Sequence, residues 1–62
     1  MKYSELERKL RRIGCYNTGQ EQSGHPLWYS PRTGKLFRMS NHASFEVNPK
    51  TLHSILKDAG LR

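Results

Sequence analysis

Between Asn48 and Gly60 the chain specifies both ends of a helix and a single apolar face. Asn48 is a preferred N-cap, because its side-chain oxygen can accept from the first unpaired backbone N–H groups. Pro49 suits the first helical position, where no N–H is needed. Leu52, Ile55, Leu56 and Ala59 fall on one side of a 3.6-residue repeat, and Gly60 supplies the left-handed stop. A helix with one apolar stripe must cover it against another layer. The segment before Asn48 is expected to supply that layer.

A second helix is predicted near the N-terminus. Ser4-Glu5-Leu6-Glu7 has the form of a capping box, with Ser4 as N-cap and Glu7 three positions on. Tyr3, Leu6, Leu10 and Ile13 recur at helical spacing and Gly14 ends the run, which predicts a helix over 5–13. Arg8, Lys9, Arg11 and Arg12 lie on its outer side, where cations near a helix C-terminus are also favoured by the dipole. Between the helices the chain is rich in aromatic residues and broken by turn residues. Residues 15–18 read as a short strand, followed by a polar loop over 19–24. Residues 27–30 and 35–39 read as a hairpin joined through Pro31-Arg32-Thr33-Gly34. A further loop is expected over 40–46. The order helix, three strands, helix predicts an α+β fold, with two helices packed on one face of a three-stranded antiparallel sheet. Residues 1–62 are expected to form one domain. Its core should come from Leu6, Leu10, Ile13, Leu52, Ile55 and Leu56, with at least two of Trp28, Tyr29 and Phe37.

Eleven Lys and Arg against five Asp and Glu give a formal charge of +6. On so small a body this field attracts polyanions, and nucleic acid is the expected partner, since each phosphate contact releases counterions. Neither helix pairs a basic face with a large aromatic one, so a membrane surface fits less well. Cys15 is the only cysteine, which excludes an internal disulfide and a cysteine-based metal cluster. The first residues, Met-Lys-Tyr-Ser-Glu, contain no apolar run of the kind a secretory signal or membrane span needs, and a cytoplasmic location is expected. A chain this short has no room for a deep cavity, so any site should be a shallow surface suited to a polymer.

His25 stands in Ser23-Gly24-His25-Pro26, directly before the aromatic run Leu27-Trp28-Tyr29. RNA brings its own nucleophile, the 2′-hydroxyl, so one positioned imidazole (reference pKa about 6.5) is chemically sufficient for slow cleavage. From the residues alone, His25 is equally a solvent-exposed loop histidine. Gly24 would let the backbone approach a phosphate closely, or would simply turn the chain. Tyr29, or Tyr16, is the better candidate for an exposed base contact. Arg11, Arg12, Arg32 and Lys35 are the candidate phosphate contacts, with Arg32 and Lys35 favoured because they flank the hairpin turn. His42 is a possible secondary site residue, and His53 is expected at the surface. The three histidines lack metal-ligand spacing, and no metal or cofactor is expected.

Several stretches resemble the HicA family, the toxin component of bacterial toxin–antitoxin pairs. Thr51-Leu52-His53-Ser54-Ile55-Leu56-Lys57-Asp58-Ala59-Gly60-Leu61 is similar to the family's C-terminal helix. Trp28-Tyr29-Ser30-Pro31 with Thr33-Gly34-Lys35 looks like its hairpin. Met39-Ser40-Asn41-His42 stands in place of Val-Pro-x-His, and Ser23-Gly24-His25 in place of Gly-Ser-His. Here the Gly and Ser are exchanged and Pro26 follows the histidine. The resemblance implies a fold like a double-stranded-RNA-binding domain and a metal-independent endoribonuclease that cuts mRNA with His25 as its single catalytic histidine. It also implies neutralisation by a HicB-type antitoxin, and the toxin alone is expected to be monomeric. The competing expectation is a non-catalytic RNA-binding module of the same fold, in which His25 only contacts a phosphate. A DNA-binding role fits poorly, because a strand rather than a recognition helix follows helix one.

Overall fold

The computed structural model describes residues 1–61, so Arg62 of the expected 1–62 domain lies outside the described residues. The elements follow in the order α1 (Tyr3–Arg12), β1 (Tyr16–Gln22), β2 (His25–Ser30), β3 (Lys35–Arg38) and α2 (Pro49–Ala59). The three strands form one antiparallel sheet in the order β1-β2-β3. The α+β architecture is as the sequence predicts.

One sheet face is buried and the other is open. Along β2 the residues alternate, with Pro26, Trp28 and Ser30 buried while His25, Leu27 and Tyr29 point the other way. Trp28 pairs with Phe37 on β3, which places both rings on the covered side. Leu6 and Leu10 of α1, Ile55 and Ala59 of α2, and Cys15, Met39 and Val47 complete the buried core. Ile13, Leu52 and Leu56 pack against it only partly buried, so half of the six expected core residues sit at its margin.

Both helix ends use tertiary contacts. The start of α1 is two residues earlier than the Ser4–Glu7 box predicts. Lys2 is its N-cap, and the Glu5 carboxylate accepts from the Lys2 N–H at 3.2 Å. The Tyr3 and Ser4 N–H groups donate to the carbonyls of Phe45 and Ala43, both at 3.0 Å. The 43–47 loop therefore satisfies donors that a Ser4 cap would have left to the side chain. In α2, Asn48 Oδ1 accepts from the Lys50 N–H at 2.9 Å and Gly60 adopts φ +88°, as its sequence predicts. At that C-terminus the Ser30 hydroxyl donates to the Ala59 carbonyl at 2.7 Å, and the Thr33 hydroxyl donates to the Asp58 carbonyl. These two hydroxyls tie the β2–β3 turn to the carbonyls that α2 itself leaves unpaired.

The expected loop over 19–24 is a second correction. Most of it is strand. β1 pairs Tyr16 with Tyr29 and Asn17 with Trp28, then resumes with Glu21 opposite Pro26 and Gln22 opposite His25. The intervening bulge is held by its own polar side chains. Asn17 Oδ1 accepts from the Gly19 N–H at 2.9 Å, and the Thr18 hydroxyl donates to the Leu27 carbonyl at 2.9 Å. Cys15, expected to open the strand, is instead buried just before it.

Candidate active site

The turn that leads into His25 is only two residues long. Ser23 and Gly24 join β1 to β2 with φ values of +53° and +80°. Positive φ at both central positions is the condition for a type I′ hairpin turn, whose twist matches that of the flanking strands. Gly24 therefore serves the turn, and the space around its missing Cβ is open. His25 is not a loop residue. It is the first residue of β2, paired with Gln22, exposed, and on the uncovered sheet face.

That face carries an aromatic and apolar stripe. Tyr29 lies two pairs along from Leu27, and its ring meets that of Tyr16 on β1 with centroids 5.7 Å apart, tilted by 56°. Tyr16 is 49% exposed, and Leu36, which faces Tyr29 from β3, is 56% exposed. Tyr16 is thus an exposed ring and Tyr29 a half-buried one beside Leu36; rings on an open sheet are the kind of surface on which unpaired bases can stack. Arg38 lies opposite Leu27 on the same face. His25, Leu27, Leu36 and Arg38 also line an open groove of about 830 Å³, whose far wall includes Lys50, Thr51 and Ser54 of α2. Among the described residues no side chain or carbonyl hydrogen-bonds the His25 imidazole. The ring is thus held by its backbone position rather than by a second polar group.

The other candidates separate from His25. Arg32 and Lys35 bracket the β2–β3 turn, at the opposite end of β2 from His25, roughly 17 Å along the strand at 3.3–3.4 Å per residue. Arg11 lies on the covered side. Its guanidinium donates to Glu7 Oε1 at 3.0 and 3.2 Å and stands 5.0 Å from the centroid of the Trp28 ring. Arg12 shares a shallow depression on the outer side of α1 with Glu5, Arg8 and Lys9. His42 sits in the 40–46 segment, stacked on Phe45 with centroids 4.6 Å apart, and does not line the groove. His53 is exposed on α2. Among the described residues no three His, Cys, Asp or Glu side chains gather to hold a metal ion.

Two cations near His25, Arg38 and Lys50, were missed by sequence reasoning. The alternation of residues 35–39 carries the signal for Arg38, since burial of Phe37 obliges Arg38 to face outward. Nothing local carries it for Lys50, which reaches the groove only because α2 lies beside β3.

A family model described as the HicA toxin of bacterial toxin–antitoxin systems matches residues 3–61. No curated protein and no solved structure matches the chain.

Proposed function

Because the chain belongs to the HicA toxin family of bacterial toxin–antitoxin systems, we propose that this toxin is a metal-independent endoribonuclease that cuts single-stranded mRNA. His25 is its one catalytic histidine, and a HicB-type antitoxin is the partner that neutralises it. It acts in the cytoplasm as a monomer. The observation that carries this reading is the position of His25. It is exposed at the start of β2, directly after a two-residue turn, on the sheet face that also presents Tyr16 and Tyr29.

The chemistry follows from what RNA supplies. The 2′-oxygen attacks the adjacent phosphorus and forms a cyclic phosphate while the bond to the 5′-oxygen breaks. His25 takes the 2′-hydroxyl proton, and solvent protonates the departing 5′-oxygen. Positioned proton transfer of this kind contributes about 10²–10⁴ in rate. Arg38 and Lys50 are the nearby cations of the groove, and negative charge building on the phosphorus is stabilised by such groups. Tyr29 and Tyr16 stack the bases on either side, and Gly24 fixes the turn that aims the histidine. Arg32 and Lys35 hold phosphates further along the strand; Arg11 and Arg12, on the helix side of the sheet, add to the general attraction for RNA rather than to the site. His42 has no part in proton transfer.

A non-catalytic RNA-binding module remains the second reading, favoured by the absence of a described group orienting the His25 ring. Purified protein incubated with single-stranded RNA and EDTA separates the two. Cleavage leaving 2′,3′-cyclic or 3′-phosphate ends supports the nuclease. Binding without cleavage supports the module, and strict dependence on Mg²⁺ contradicts the histidine mechanism.

A further inference from the structure

Among the described residues no strand pairs with the outer edge of β3. β3 is the last strand in the order β1-β2-β3, and its other side borders the groove beside α2. The Met39 N–H donates to the Pro26 carbonyl at 2.9 Å. With Trp28 opposite Phe37, the alternation of an antiparallel ladder then directs the N–H and C=O of Lys35, Phe37 and Met39 toward β2. The same alternation turns the backbone groups of Leu36 and Arg38 away from β2 and into the groove. Across the groove stand Lys50, Thr51 and Ser54 of α2. An edge strand facing a helix across an open groove is the arrangement in which extended peptides add to a sheet.

We propose that this edge accepts an extended acidic segment of a protein partner as a fourth strand. The occupant follows from the side chains that such a strand would meet. On the open face it would lie beside Leu36, which is 56% exposed, and beside Arg38. Directly opposed residues on neighbouring strands favour opposite charges and apolar pairs, so an aliphatic residue belongs against Leu36 and a carboxylate against Arg38. The residue opposite Phe37 would turn to the covered face, the side on which α2 packs, and Lys50 of α2 lines the same groove, so a second carboxylate fits there. Glu21 and Asp58 lie among the lining residues as well, which confines the acidic character to the middle of the segment. A second copy of this chain is the wrong occupant, since each copy carries +6 and would place Arg38 near like charge. The inference concerns a protein segment and does not rest on the cleavage reading.

The test uses amide hydrogen exchange of the full chain with an acetylated, amidated peptide of sequence Thr-Val-Glu-Glu-Val-Thr. Saturating peptide should slow exchange at the Leu36 and Arg38 amides at least tenfold. The Phe37 amide, already in the ladder, should change little. The same peptide with alternate backbone nitrogens methylated, and its Lys-for-Glu counterpart, should give no such protection. Leu36→Pro removes the outward donor without touching the β2 ladder and should abolish binding. If that variant loses its fold, Lys50→Glu provides the second measurement and should weaken binding at least fivefold. No saturable protection at millimolar peptide overturns the proposal. So does protection confined to the Tyr16 and Tyr29 face, equal protection by the Lys peptide, or concentration-dependent protection without peptide, which would point to a second copy. Protection of these two amides by a single-stranded oligonucleotide would assign the edge to RNA instead. Loss of cleavage with the docking intact would count against the nuclease reading alone.

Discussion

Replacing Ser30 by alanine removes one hydroxyl from the most enclosed polar contact of the fold. Ser30 is fully buried, and its Oγ donates to the Ala59 carbonyl at 2.7 Å. Ala59 closes α2 and is itself fully buried, while the Gly60 and Leu61 N–H groups turn back to Leu56 and Lys57. The alanine variant leaves that carbonyl dry and unpaired, which costs about 1–3 kcal/mol. Total stability for a chain of this length is only about 3–9 kcal/mol at roughly 0.05–0.15 kcal/mol per residue. A loss near 2 kcal/mol lowers Tm by about 8–16 °C in a domain of this size. The assay is thermal and urea unfolding followed by Trp28 fluorescence, a reporter only 3% exposed and thus sensitive to core opening. The urea m-value should not change, because the unfolded surface is the same. Thr33→Ala is the internal comparison, since it removes the same kind of bond to Asp58 at an exposed position. Its cost should stay within about 1 kcal/mol. A Ser30→Ala loss below about 0.5 kcal/mol, or a larger loss for Thr33→Ala, would refute the claim that burial makes the Ser30 contact the stronger one.

Gly60→Ala should destabilise more than Gly24→Ala. Both have positive φ, worth about 1–3 kcal/mol for a non-glycine residue. A Cβ at position 60 would also stand 3.1 Å from Thr33 Cγ2 and 3.3 Å from Arg32 Cβ, whereas position 24 opens on free space; urea midpoints rank the two. Arg11→Ala should cost about 0.5–1 kcal/mol in unfolding through its contact with Trp28, and should lower the salt slope of RNA binding less than a groove cation does, because it adds only to the general attraction. Arg38→Ala should reduce that salt slope by about one, read from fluorescence anisotropy of a labelled oligonucleotide across a salt series.

The elements with strong local chemistry were legible in the sequence. Asn48-Pro49 and Gly60 bound α2, and Pro31 to Gly34 turn the second hairpin, because each places the required residue type where the backbone needs it. What the sequence hid was set by contacts distant in the chain. The start of α1 moved to Tyr3 because the carbonyls of Ala43 and Phe45 cap it, and a Ser-x-x-Glu pattern cannot announce a partner forty residues away. The polar run over 19–24 concealed the end of β1, since its bulge is stabilised by Asn17 and Thr18 side chains in place of an apolar alternation. Ser23-Gly24 was a readable turn dipeptide, and reading it as such would have made His25 a strand residue at once. For the site, His25 and Tyr29 were legible by residue type. Arg32 and Lys35 were favoured by closeness in sequence to a strand whose length in fact separates them from His25.

The most direct test of the central claim is the cleavage rate of His25→Ala beside its stability. His25 is exposed, and among the described residues nothing hydrogen-bonds its ring, so the variant should unfold within about 0.5 kcal/mol of the parent. Its RNA affinity should hardly move. Cleavage of single-stranded RNA at saturating substrate should fall by about 10²–10⁴, equal to roughly 3–5 kcal/mol of transition-state stabilisation. His42→Ala, stacked on Phe45 away from the groove, should fall far less. A folded His25→Ala protein that cuts RNA at near the parent rate would contradict the account.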